Sequence, residues 1–405
     1  MTIQSTTPLS AGIERPTFDE ELVARATKLI PLIREHSTEG SANGQISPVV
    51  IDALEAEGLL NLLVPRRLGG QEASMRTVVE VLAEISRGDG STGWVASLLN
   101  AGTWFGTTFT EQAQNDLFAG SPNTRISAIF TPGSTMKRVE GGYVVSGRWP
   151  YSSGAFAANW AALGIALDVP EGEDPRAIAL FSRDQYTIEE SWYVTGMKGT
   201  ASNTVVMNEQ FVPDHRVQSF AGMRDAQYLT PYADRERNSR MTFIAVAALV
   251  LISPQLGLAR HALELTLQKL PEKPVAYTRY TAAKNSPVHQ LGVAQAATKI
   301  RLAELLAGNA ADLIDQFAYE GHLQDIETRA QIRNDIGFIA DFAKEAIDAL
   351  LTANGAGSFA EPNVLSRIWR DSEIGARHAY VTAEVGKELY GRVLLGADDP
   401  ITMDV

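Results

Sequence analysis

The sequence predicts an α+β protein in three successive parts: a helical N-terminal domain, a middle antiparallel β-domain of barrel or sandwich type, and a C-terminal four-helix bundle. Two observations carry that expectation. Apolar residues recur at helical spacing up to residue 123, give way to short β-branched and aromatic runs over 124–221, and return to helical spacing over 222–405. The middle stretch is punctuated at regular intervals by Pro132-Gly133, Gly141-Gly142, Pro170-Glu171-Gly172 and Gly199-Thr200, which read as turns.

At 405 residues the chain has room for two or three domains, and 45% apolar with 20% charged residues fits a globular protein with a large core. A net charge of −13 disfavours nucleic acid and anionic membrane surfaces as partners. The absence of cysteine excludes disulfides, thiolate nucleophiles, iron–sulfur clusters and Cys-based zinc sites. The first ten residues lack the basic and apolar regions of a signal peptide, and the apolar run from Phe243 to Ser253 is too short to span a bilayer. A cytoplasmic protein is expected.

Residues 1–17 are polar and read as a flexible tail. In the N-terminal domain (18–123), Leu22, Ala26, Leu29, Ile30 and Ile33 mark a helix over 18–36. A second runs from Pro48 to Glu57 and stops at Gly58. A third spans Met75 to Arg87, with Val78, Val79, Leu82 and Ile85 on one face. Ser91 is expected to cap a fourth through Trp94 and Leu99, and Glu111 to Phe118 makes a short fifth. Strands are expected over 125–130, 142–148, 160–167, 177–181, 186–191 and 204–211. A charged stretch around Asp234–Arg240 reads as a solvated or subunit-contact loop. Four long helices follow, over 241–270, 288–317, 326–353 and 365–394.

The segment Val145–Gly154 (VSGRWPYSSG) stands out. A strand end that carries Ser152, Ser153 and Gly154 presents two hydroxyls and a bare backbone, which suits a flat ligand as well as an ordinary turn. The six histidines (His36, His215, His261, His289, His322 and His378) form no metal-spaced pair, so no metal is expected.

The order of the three parts, together with VPRRLGG over 64–70, GMKGTASNT over 196–204, Phe211-Val212-Pro213 and Trp369-Arg370-Asp371, resembles the acyl-CoA dehydrogenase superfamily over residues 18–395. DGSTGW over 89–94, WPYSSG over 149–154, and His378 seven residues after Asp371 resemble its two-component flavin monooxygenase branch, which includes the oxygenases for 4-hydroxyphenylacetate and dibenzothiophene. That resemblance implies an oxygenase component that takes reduced flavin (FMN or FAD) from a separate NAD(P)H:flavin reductase. It would use O₂, through a C4a-hydroperoxyflavin, to hydroxylate an aromatic or heteroaromatic small molecule. A homotetramer is the family expectation.

The resemblance assigns roles to particular residues. Ser153, with Ser152 as alternate, would place a hydroxyl near flavin N5. Thr200 and Ser202 would hold the ribityl chain or phosphate, Trp94 would wall the pocket, and Arg279 would meet a flavin phosphate. Ser127 and Phe130 would contact substrate, and His378 would act as the base that favours a phenolate. Taken without the resemblance, Trp94 and Trp149 read more readily as core than as a cofactor wall, and Arg370-Asp371 as a structural ion pair. Two alternatives stay open, an FAD-dependent acyl-CoA dehydrogenase and a non-catalytic superfamily member. Against the first, positions 378–381, about eight residues past the Arg-Asp pair, carry no carboxylate, the next being Glu384, and Gly292 stands where the dehydrogenases carry a flavin-binding glutamine.

Overall fold

The computed structural model describes residues 13–120, 123–398, 401, 402 and 404; most of the expected N-terminal tail lies outside them. Helix α1 spans Glu20–Asn43. Asp19 caps it by accepting from the N–H groups of Glu21 and Leu22, and Gly44 ends it in the left-handed conformation. Pro48 opens α2 (Pro48–Ala56), where its missing N–H costs nothing, and Ser74 caps α3 (Met75–Gly88). The cap of α4 (Gly90–Gly106) is Asp89 rather than Ser91. Extended Asp89 accepts from the Thr92 N–H at 2.9 Å, so Gly90 already begins the helix and Ser91 lies inside it. Helix α5 is Glu111–Phe118.

The middle region holds eight strands: β1 (Ile126–Ile129), β2 (Ser134–Val139), β3 (Gly142–Ser152), β4 (Trp160–Ala166), β5 (Arg176–Ser182), β6 (Thr187–Glu189), β7 (Asn203–Pro213) and β8 (Val217–Ser219). They form two four-stranded sheets in the orders β1-β4-β5-β8 and β2-β3-β7-β6. Every pairing is antiparallel except that of β1 with β4, which is parallel and sets Ser127 opposite Ala161. β4 and β5 read as apolar runs because both of their faces are covered. Ala162, Ile178 and Leu180 join the core shared with the helices, while Ala161, Leu163, Ala179 and Phe181 pack between the sheets against Val145, Trp149 and Val205. Trp149 is therefore core; its indole N–H donates to the Gly164 carbonyl at 2.8 Å.

After α6 (Phe220–Arg224) come α7 (Phe243–Val250), α8 (Ser253–Lys269), α9 (Pro287–Glu320), α10 (Ile326–Asn354), α11 (Val364–Gly375) and α12 (Ala383–Leu395). Two of the four long helices expected from periodicity are thus broken. The first breaks at Leu251-Ile252, just before Pro254. The last breaks over 376–382, where His378 sits in the link. Phe243–Lys269 is, among the described residues, the one stretch long and apolar enough to cross a membrane, but 94% of its most apolar segment is buried in the fold. Part of the loop around Asp234–Arg240 is not solvated. Glu236, Arg237, Asn238 and Ser239 are buried, and Arg237 donates to the Glu72 and Ala73 carbonyls.

Close helix packing fixes the wall of the site. A Cβ on Gly93 of α4 would lie 1.8 Å from Ser86 Oγ on α3, and one on Gly257 of α8 would lie 2.2 Å from the Ala83 carbonyl oxygen. Helices α3, α4 and α8 can approach this closely only where those side chains are absent.

Candidate active site: a hydroxyl chain beneath Trp94 and His378

Strand β3 pairs Trp149 with Val205 and Ser152 with Asn203, so it carries one more residue than β7 between those pairs. This bulge turns the end of the strand out of the sheet. Tyr151 absorbs the extra residue at φ 66°, and Gly154 follows at φ 72° with its N–H on the Thr200 carbonyl at 3.0 Å. Facing it is a second tight turn, with Met197 at φ 52°, a 3₁₀ turn over Lys198–Thr200, and Ala201 at φ 47°. Three side-chain-bearing residues thus hold left-handed backbone around one spot, each at a cost of about 1 kcal/mol or more.

The two turns bring hydroxyls together. Ser153 Oγ lies 2.6 Å from Ser202 Oγ, which lies 2.7 Å from Thr200 Oγ1; Thr200 in turn donates to the Met197 carbonyl at 2.8 Å. That carbonyl also accepts the Trp192 indole N–H at 2.8 Å. At the other end the Trp94 indole N–H donates to Ser153 Oγ at 3.4 Å. Ser127 donates to the Ser153 carbonyl at 3.0 Å, so parallel β1 steadies the backbone of the bulge. Ser152 Oγ is fully buried and has no hydrogen-bond partner among the described residues. A buried hydroxyl left unpaired costs about 1–3 kcal/mol and is accounted for if a ligand completes it.

Trp94 meets the His378 ring edge to face at 5.7 Å. The Tyr380 N–H donates to His378 Nδ1 at 3.2 Å. A backbone N–H can only donate, so Nδ1 is unprotonated and the neutral ring carries its proton on Nε2. Burial first, and the Arg333 guanidinium second, push the imidazole down to about 4. His378 is therefore neutral near pH 7, with Nε2–H as the donor it can offer. This geometry favours a donor at His378 over the expected general base, because the Nδ1 lone pair is engaged and burial lowers the basicity of the ring.

Arg370 and Asp371 do not pair. Arg370 donates to Ser366 Oγ at 3.0 Å, while buried Asp371 accepts the Met197 N–H at 2.5 Å. Burial, reinforced by the neighbouring Asp89 carboxyl, pushes Asp371 up to about 7. Asp371 thereby anchors the left-handed Met197 whose carbonyl ends the hydroxyl chain.

Of the residues singled out in the sequence, the fold brings together Ser127, Ser152, Ser153, Thr200, Ser202, Trp94 and His378. Phe130 packs in an adjoining aromatic group, 4.7 Å from Phe243 and 5.6 Å from Phe105. Arg279 is not brought in; it lies on the exposed loop between α8 and α9, over the ring of its neighbour Tyr280. Sequence reasoning missed Met197, Asp371, Tyr380 and Arg333 as parts of the site. Their contributions run through backbone groups and charge, which leave no spacing pattern; only the proximity of Asp371 to His378 hinted at one of them.

Residues 20–118 match the N-terminal domain model of acyl-CoA dehydrogenases, and residues 249–383 match the C-terminal domain model. The oxygenase subunit HsaA of a flavin-dependent monooxygenase from Rhodococcus jostii (strain RHA1) is 32% identical over 386 residues, spanning 93% of this chain and 98% of HsaA. The chain belongs to the acyl-CoA dehydrogenase superfamily. Within that superfamily its relatives include the oxygenase component of an FADH(2)-dependent resorcinol hydroxylase from Rhizobium sp. (strain MTP-10005), 29% identical over 93% of this chain and 94% of that protein. Its fold matches XiaF from Streptomyces sp., solved in complex with FADH2 and glycerol, with a TM-score of 0.90, 32% identity, and coverage of 95% and 97% of the two chains. The hydroxyl chain falls between the two matched superfamily domains, and His378 lies inside the C-terminal one.

Proposed function

We propose that this protein is the oxygenase component of a two-component flavin monooxygenase, hydroxylating an aromatic or heteroaromatic small molecule. The end-to-end match to HsaA carries the reading. Bound reduced flavin, FMN or FAD, supplies the electrons that activate O₂. A separate NAD(P)H:flavin reductase delivers it.

The residues fit a flat, polar-edged cofactor. The orphan Ser152 hydroxyl and the free lone pair of Ser153 are its hydrogen-bond partners, and Ser153 is the one that meets N5. Thr200 and Ser202 act through Ser153 rather than on a phosphate, because their protons are committed to the chain. Trp94 walls the site and excludes water. His378 donates from Nε2 to the ring oxygen of a phenol, which favours the phenolate, the form in which the ring is most reactive. Ser127 holds the bulge, and Phe130 lines the substrate side. In its own chain Arg279 touches none of these groups; a flavin phosphate in a neighbouring copy is its partner.

A homotetramer suits that arrangement. Val288, Leu291, Leu302 and Leu305 form an exposed apolar stripe along α9, which a second copy would cover. The reading places the protein in the cytoplasm, with neither nucleic acid nor membrane as partner.

The test mixes the protein with chemically reduced FMN or FAD, then with ¹⁸O₂ and a panel of phenols and indoles. One ¹⁸O atom in a hydroxylated product supports the reading. A protein that is yellow as isolated and is bleached by an acyl-CoA overturns it in favour of a dehydrogenase. Light scattering should give four times 43.8 kDa, and Leu305→Glu should lower it.

A further inference from the structure

The hydroxyl chain has a direction, and the direction has a consequence for the redox state of whatever binds Ser153. The Met197 carbonyl can only accept, so the Thr200 hydroxyl donates to it. Thr200 has no second proton, so Ser202 is the donor in the 2.7 Å contact between them. Ser202 has then spent its proton, and Ser153 is the donor in the 2.6 Å contact with Ser202. The Trp94 indole N–H, again only a donor, takes one lone pair of Ser153. What remains on Ser153 is a single lone pair and no proton. Both ends of the chain are groups of fixed polarity, and the three hydroxyls between them have no freedom left.

Reduced and oxidised flavins differ at N5 in this respect. The reduced ring carries N5–H, a donor; the oxidised ring offers a bare nitrogen, an acceptor. We infer that the relay Ser153–Ser202–Thr200–Met197 is a specificity device, presetting Ser153 as an acceptor so that the site takes the reduced cofactor in preference to the oxidised one. This deepens the proposed function and rests on it. An oxidised ring can use Ser153 as a donor and keep the Ser153–Ser202 contact only if all three hydroxyls reverse. Ser202 then donates to Ser153 and Thr200 to Ser202, so Thr200 gives up its bond to the Met197 carbonyl, while the Trp94 contact is kept. The carbonyl itself is not orphaned by reversal, since Trp192 still donates to it, so the penalty is one hydrogen bond, worth about fivefold in affinity. Asp371 and the left-handed backbone of Met197 position that carbonyl, and so act on the preference from a distance.

The experiment measures the Kd of oxidised and, anaerobically, of reduced FMN and FAD for the wild type, Ser202→Ala and Thr200→Val. Neither substitution removes Ser153. Both free the chain to reverse, Ser202→Ala by cutting it and Thr200→Val by removing its fixed acceptor end. The expected result is a wild-type preference for reduced flavin that shrinks by about fivefold in both variants, chiefly through tighter binding of the oxidised form. Thr200→Val, nearly isosteric, covers the case in which Ser202→Ala fails to fold. A preference that is unchanged in a folded variant overturns the relay while leaving the proposed function standing. Failure of the wild type to bind either flavin in either state overturns both.

Discussion

The backbone N–H of Tyr380 donates to Nδ1 of His378, and this contact fixes which face of the imidazole can work. The same burial that makes the ring a donor links it to stability. Its folded pKa, about 4, lies below the ordinary 6.5, so the stabilising contribution of the neutral ring is fully present above about pH 6.5. It is lost as pH falls toward 4, where the buried ring must take a charge beside Arg333. His378→Gln should remove this loss. Urea unfolding at pH 7 and pH 4.5 should show the variant losing about 2 kcal/mol less than the wild type across that interval.

Asp371 has the opposite sign. Its carboxyl is pushed up to about 7 from 3.8, so the fold disfavours the ionised form, and stability rises as pH drops from above 7 toward 4. Asp371→Asn keeps an oxygen for the Met197 N–H and removes the charge. The variant should be more stable than the wild type at pH 8, by roughly 1–3 kcal/mol, with the gap narrowing below pH 7 and closing only near pH 4. A gap that does not close would mean that Asp371 is not the titrating group.

Ser152→Ala separates folding from binding. Its hydroxyl has no partner in the free protein, so the substitution should leave the thermal midpoint unchanged or slightly raised. Affinity for reduced flavin should nevertheless fall about fivefold or more, as read by anaerobic titration.

Gly93→Ala tests the packing that carries Trp94. The added methyl would stand 1.8 Å from Ser86 Oγ, so α3 and α4 must separate. Destabilisation of roughly 2–4 kcal/mol is expected, read as a lower thermal midpoint, together with a change in Trp fluorescence.

Most helices were legible because their apolar faces are long and periodic, as in α1, α9 and α10. The break within 365–394 was not, because Ala376, Val381 and Ala383 stay apolar and buried and so continue the pattern across the gap. Strand β2 was missed because it is a largely exposed edge, and β8 because three residues are too few to show a period. The parallel pairing of β1 with β4 leaves no mark in either strand. Within the site, Ser153, Trp94 and His378 could be named by motif and spacing. The relay could not, because it depends on backbone carbonyls and on the left-handed turns at Met197 and Ala201, positions where a sequence reader looks for glycine. The expected Arg370–Asp371 ion pair failed for a related reason: neighbours in sequence on one helix point in different directions.

Those left-handed turns matter to anyone redesigning the scaffold. Tyr151, Met197 and Ala201 each occupy backbone where glycine is cheaper. A procedure that improves one position at a time would write glycine at all three and report a gain in predicted stability. It would also release the backbone that aims the Met197 carbonyl and turns Ser152 and Ser153 out of the sheet. A consensus-style stabilised variant of this chain would then melt later and discriminate less, and the three positions are best held fixed in any library built on it.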